Sequence, residues 1–208
     1  MAYPPSDHPA SPYTALTVPG LHGSGAGHWQ SLWERARGFR RVEMPDWAHP
    51  RRVKWVARLE AAIRSAPAPV VLVAHSLGCM TVAWWAQLAE PFHAEVVAGA
   101  LLVAPPDVDR VDAVAEIRDF APAPQGRLPF PSILVGSTDD PYASAPWLQA
   151  IARDWGSHFF DVGAAGHVNE DSGLGDWPQG QVLLDRLLAG VRNGGSGPQP
   201  GRTAEGLQ

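Results

Sequence analysis

The stretch Val70–Cys79, VVLVAHSLGC, decides how the chain is read. Its unbroken apolar start, Val70 to Ala74, is how a strand reads when both faces are covered. His75 and Ser76 follow, then Leu77 and Gly78, and a helical pattern runs on to Leu88. A strand turning into a helix over a serine is the context that a nucleophile elbow requires. The turn is sharp, so the residues two before and two after the serine must be small. Here they are Ala74 and Gly78. Glycine is usual at both, and Ala74 is a departure that the next smallest side chain can fill. Such a turn presents Ser76 Oγ above the sheet, near the positive end of a helix. It leaves the Leu77 backbone N–H free to face an oxyanion. The plainer alternative is that Ser76 caps the helix, a role serine favours.

Outward from this stretch, short apolar runs alternate with helical patterns. Strands are expected at Thr14–Val18, Arg41–Met44, Val70–Ala74, Gly99–Val103, Ser132–Gly136 and His158–Val162. Helices are expected at Trp29–Arg37, Arg51–Ser65, Gly78–Leu88, Ala145–Asp154 and Gln179–Val191. Trp55, Val56, Leu59 and Ile63 share one helical face, as do Leu183, Leu184, Leu187, Leu188 and Val191. This alternation predicts a doubly wound α/β fold: a mostly parallel, six-stranded sheet with helices on both faces. Chemistry in such a sheet sits at the carboxyl ends of the strands, where every motif below falls.

The chain has 208 residues, 45% hydrophobic and 18% charged, with a net charge of -5. That suits one domain, expected over 14–192. Residues 1–13 are rich in proline, and 193–208 in Gly, Pro and Ser. Both are expected to be disordered, because they carry too little apolar surface to order themselves. No basic stripe suggests a nucleic-acid partner. No apolar run reaches the ~18 residues of a membrane span. The N-terminus lacks the features of a secretory signal, and the single cysteine, Cys79, has no internal partner. A cytoplasmic protein is the expectation.

A serine hydroxyl is a weak nucleophile without a base, and the base needs an orienting acid. The strand Ser132–Gly136 runs into Ser137-Thr138-Asp139-Asp140-Pro141-Tyr142. The next strand runs into Gly163-Ala164-Ala165-Gly166-His167-Val168-Asn169. His167 is the better base of the eight histidines, because Gly166 lets its loop bend over the sheet. His75 adjoins the serine, but its side chain should point away from Oγ. Asp139 and Asp140 both qualify as the acid. Asp140 is favoured because a residue before proline is held extended, and Asp139 could cap the turn. Asp107 and Asp109 are fallbacks.

After the first strand, Gly20-Leu21-His22-Gly23-Ser24-Gly25-Ala26-Gly27-His28-Trp29 forms a loop nearly free of large side chains. Such a loop lets a backbone N–H approach a ligand. The second oxyanion donor is assigned to Leu21, with His22 as the alternative. A G-x-G-x-x-G fingerprint would need glycine where His28 stands, and no G-K-[ST] occurs. His22 and His28 lack the companions of a metal site. No cofactor and no metal is expected. His22, Trp29, Tyr142 and Asn169 are candidate substrate contacts. Trp177 also adjoins these loops, while Trp84 and Trp85 belong to the core. The segment 105–131, with Pro105, Pro106, Phe120, Pro122, Pro124, Phe130 and Pro131, should cross the rim.

The strings VPGLHGSGAGHWQSLWE, MPDW, VLVAHSLGC, GSTDDPYAS and GHVNEDSGLGDWPQG resemble the small serine hydrolases that include retinoblastoma-binding protein 9, above all their bacterial branch. The resemblance spans Val18 to Gly180. It implies a compact α/β-hydrolase fold without a large lid, and a triad of Ser76, Asp140 and His167. The expected activity is hydrolysis of small to medium carboxylic esters through an acyl-enzyme, acting on a small-molecule acyl substrate. An amidase, aminopeptidase-like enzyme or acyltransferase on the same triad is the alternative. So is a module that binds a protein partner on a hydrolase scaffold.

Overall fold

The computed structural model describes residues 12–67, 69–89 and 95–194. The two end segments read as disordered lie outside the described residues, apart from 12–13 and 193–194. Six strands form one sheet in the order β2-β1-β3-β4-β5-β6, and every pairing is parallel. The strands are β1 Thr14–Val18, β2 Arg40–Arg41, β3 Val70–His75, β4 Val97–Val103, β5 Ser132–Gly136 and β6 His158–Asp161. The helices are α1 Trp29–Arg37, α2 Arg52–Ser65, α3 Leu77–Leu88, α4 Ala145–Trp155 and α5 Pro178–Gly194. This is the doubly wound α/β-hydrolase architecture, with no large lid among the described residues.

Alternation along the strands separates two apolar layers. Leu16, Val18, Leu72, Ala74, Leu102 and Leu134 join one core with residues of α2, α3 and α4. Val71, Val73, Leu101, Val103 and Val135 face the other, with Trp29 and Trp33 of α1 and Leu183, Leu184 and Leu187 of α5. The central strands β3 and β4 are apolar almost throughout because each of their faces meets a helix layer.

The chain passes from β1 to β2 on one side, then returns so that β3 lies on the other side of β1. That reversal opens a crevice beyond the carboxyl ends of β1 and β3, where ligands bind in open α/β sheets. Two loops meet there: the glycine-rich loop after Val18 and the turn at Ser76.

β2 is a correction. The expected strand Arg41–Met44 pairs with β1 only through Arg40 and Arg41, with one further bond from Val42 N–H to Thr17 O at 2.9 Å. Val42 and Met44 are buried, so their apolar signal reports core packing beyond the edge of the sheet. Among the described residues, no helix is long and apolar enough to cross a membrane.

Candidate active site

Ser76 sits at φ 53°, ψ −127°, a conformation that side chains rarely adopt. Close packing forces it. A Cβ on Gly78 would overlap the carbonyl of Val18, and one on Gly20 would come within 2.7 Å of Ser76 Cβ. Ser76 N–H donates to Val103 O at 2.9 Å, pinning the turn to β4. The hydroxyl makes no capping bond to α3, so the helix-cap reading fails. It lies instead 2.8 Å from His167 Nε2.

The other ring nitrogen, His167 Nδ1, lies 3.0 and 2.9 Å from the two Asp140 carboxylate oxygens. A carboxylate only accepts, so Nδ1 carries the proton and Nε2 is left bare to accept from Ser76 Oγ. The Asp140 side chain is fully covered, and that of His167 is 10% exposed. Asp140 Oδ1 also accepts the Tyr142 N–H at 2.9 Å, which fixes the carboxylate from its own turn. A hydroxyl, an imidazole and a carboxylate in this order can pass a proton from oxygen to ring when the oxygen attacks.

Asp139 meets different partners. Its Oδ1 accepts from Ser137 Oγ and from Gly166 N–H, each at 2.7 Å. The Ser137 hydroxyl first, then the Gly166 amide, hold its carboxyl below the usual range. Asp139 thereby braces the loop that carries His167. The fallback acids serve their own loop: Asp107 Oδ1 accepts Asp109 N–H, and the Asp109 carboxylate accepts Ala123 N–H.

These groups open into a cavity of about 480 Å³. Leu21, His22, Tyr142 and Asn169 line it. The His22 N–H is engaged by Trp47 O at 2.9 Å, which removes it as an oxyanion donor. Among the described residues, no acceptor engages the N–H of Leu21 or Leu77. The Leu77 side chain is buried in the core, so only its main chain is left to serve the site. The Tyr142 ring stands 4.5 Å from that of His167, edge to face.

Trp29 is a correction: it does not line the cavity. It is 1% exposed, packs on Trp33 and Trp177, and donates Nε1–H to Val168 O at 2.8 Å. Trp177 is likewise buried. Adjacency in sequence to a loop does not set the direction of a side chain, and the first helical residue of α1 points into the core.

Sequence reasoning missed several wall residues. Val114, Glu116 and Ile117 come from a 3₁₀ turn, Ala115–Phe120, inside the segment read only as a rim. Glu170 follows Asn169 on another 3₁₀ turn, Glu170–Ser172. Gly25 and Gly27 make room for its carboxylate, since a Cβ on Gly25 would lie 2.6 Å from Glu170 Oε2 and one on Gly27 would overlap the same carboxylate. His28 and His75 also reach the wall. His28 caps α1, its Nδ1 accepting from Gln30 N–H at 3.1 Å. Burial first, then Arg41 and His167, push His28 down to about 4. Burial, then the neighbouring His167 and His28, push His75 well below the usual histidine range.

Comparison with known proteins agrees with this architecture. The family described as serine hydrolase matches residues 15–186. A solved structure described as a YdeN-like hydrolase from Pectobacterium atrosepticum is 30% identical, with a TM-score of 0.77, covering 86% of this chain and 92% of its own. Thermogutta terrifontis esterase 2 is 18% identical (TM-score 0.61; 94% and 89% covered). The type II thioesterase BorB from the borrelidin biosynthetic cluster is 16% identical (TM-score 0.59; 86% and 95% covered). The latter two share the fold. No curated protein sequence matches the chain. With the matched family running from the first strand into the last helix, the chain belongs to the serine hydrolase family of α/β hydrolases.

Proposed function

We propose that this hydrolase cleaves small to medium carboxylic esters through a Ser76–His167–Asp140 triad and an acyl-enzyme. The observation that supports it is the continuous hydrogen-bonded chain, Ser76 Oγ to His167 Nε2 at 2.8 Å and His167 Nδ1 to Asp140 at 2.9 Å. His167 takes the hydroxyl proton as Oγ attacks the carbonyl carbon. The Leu21 and Leu77 N–H groups hold the oxyanion. The imidazolium, steadied by Asp140, returns the proton to the leaving oxygen, and the C–O bond breaks. Water then repeats the sequence on the acyl-enzyme, releasing the acid and restoring Ser76.

A cavity of about 480 Å³ lies in the lower half of the usual range for small-molecule sites, which suits a small-molecule acyl substrate better than a long lipid chain. Esters are favoured over amides because alkoxide is the better leaving group. An amidase, aminopeptidase-like or acyltransferase activity would use the same residues. A module that only binds a protein partner has no need of an aligned base.

The test is covalent labelling with a fluorophosphonate, alongside a panel of p-nitrophenyl esters of rising chain length and matched amides. Wild type should label and turn over the short esters, and Ser76→Ala should do neither. A wild-type protein that takes no label would leave the binding module as the better reading.

A further inference from the structure

His75, the residue before the nucleophile, does not project away from the site. Its Nε2 lies 2.9 Å from the main-chain carbonyl of His167. A carbonyl only accepts, so Nε2 carries the proton and donates. The His75 ring packs against the ring of His167, centroids 5.0 Å apart, and against His28 at 4.7 Å. It is 5% exposed and lines the same cavity as Ser76. We propose that His75 is a positioning residue: its Nε2–H bond to the His167 carbonyl ties the base-bearing loop to the end of β3, one residue from the nucleophile. The inference rests on the proposed roles of Ser76 and His167.

The reason lies in how the two partners are anchored. Ser76 is fixed by the sheet, through its N–H bond to Val103 O. His167 rides on a loop between two residues with positive φ, Gly166 at 56° and Val168 at 49°. That loop is held from outside by Trp29 on Val168 O and by Asp139 on Gly166 N–H. Neither of these ties reaches β3. The bond from His75 joins the two segments directly, across a separation of 92 residues in sequence. Burial, then the adjacent imidazoles, hold His75 well below the usual histidine range, which favours the neutral ring that this donor bond uses.

The experiment compares His75→Phe, which keeps a ring and loses the donor, with His75→Gln, whose amide N–H can reach the same carbonyl. For p-nitrophenyl acetate, His75→Phe should lower kcat by about 10- to 100-fold, the cost of a misplaced base, while KM stays within about 2-fold. His75→Gln should recover most of kcat. The second readout needs no turnover: the low-field proton resonance of the His167 Nδ1–H bond to Asp140 should be sharp in wild type and His75→Gln, and broadened or absent in His75→Phe. Wild-type kcat and an unchanged resonance in His75→Phe would overturn the proposal. So would equal losses in both variants, which would make His75 a packing residue. Turnover by wild type that survives Ser76→Ala would instead overturn the proposed function, with the resonance still deciding the role of His75.

Discussion

Gly78 packs directly against the main-chain carbonyl of Val18, and a Cβ at position 78 would overlap it. The elbow therefore depends on glycine at 78 because β1 ends there, whereas Ala74 is accommodated within the buried core. Gly78→Ala is expected to cost about 1–3 kcal/mol through overpacking, lowering Tm by roughly 2–12 °C in a chain of this size. Gly190→Ala is the contrast. It lies inside α5 with nothing within 4 Å of a built Cβ, so it should gain about 0.5–1 kcal/mol. Thermal melts of both variants check the pair, and a Gly78→Ala protein that melts like wild type would contradict this packing.

The choice between two adjacent aspartates is tested by their amides. Asp140→Asn leaves His167 Nδ1 facing a group that can also donate, which permits the wrong tautomer; kcat should fall by about 10⁴-fold. Asp139→Asn keeps an acceptor oxygen for Ser137 and Gly166, so kcat should stay within about 3-fold of wild type. Steady-state kinetics on one ester separates them. Equal losses would mean that the acid is not Asp140 alone.

How legible this was depended on whether a signal was local. β1 and β5 were readable to the residue, because each is a short run rich in apolar residues closed by proline or glycine. The order of serine, acid and histidine was readable because each follows a strand end. The pairing of Asp140 with His167 rested on one local fact, the proline at 141. Direction was not local. Trp29 and Trp177 adjoin the site in sequence yet point into the core, and His75 turns toward His167 because of a carbonyl 92 residues away. Glu170 entered the wall only because Gly25 and Gly27, far earlier in the chain, leave space for it. The turn at Ala115–Phe120 is a six-residue 3₁₀ segment, too short for a helical periodicity to mark it.

Stability should fall on the acid side of neutrality. His28 is 4% exposed and titrates at about 4 in the fold against 6.5 when free. The unfolded chain therefore binds the extra proton first as pH drops. The stability His28 contributes is whole above about 6.5 and lost progressively as pH falls toward 4, by about 3 kcal/mol in all. His75, shifted in the same direction, adds to the loss. His28→Asn keeps the helix cap, since Asn is a favoured N-cap, and removes the titrating ring. Its Tm should decline less steeply than that of wild type between pH 6.5 and 4. Parallel declines would show that His28 takes up its proton as readily in the folded protein as in the unfolded chain.

Charge should shape the choice of substrate. Among the described residues, the cavity wall holds two carboxylates, Glu116 and Glu170, and no Lys or Arg. Glu170 has no ion-pair partner there, and its carboxylate rests against the backbone of Gly25 and Gly27. An acyl group ending in a cation should bind better than its neutral isostere. The p-nitrophenyl esters of 4-(trimethylammonio)butanoate and 5,5-dimethylhexanoate differ only in that charge. Both Glu116 and Glu170 are exposed, so water screens the attraction and its size is modest: Glu170→Gln should lower the cationic-to-neutral ratio of kcat/KM by about 2- to 5-fold. Raising the ionic strength toward 1 M should shrink the wild-type ratio in the same direction. A ratio indifferent to both changes would mean that the charged end of the substrate lies away from the Glu170 wall.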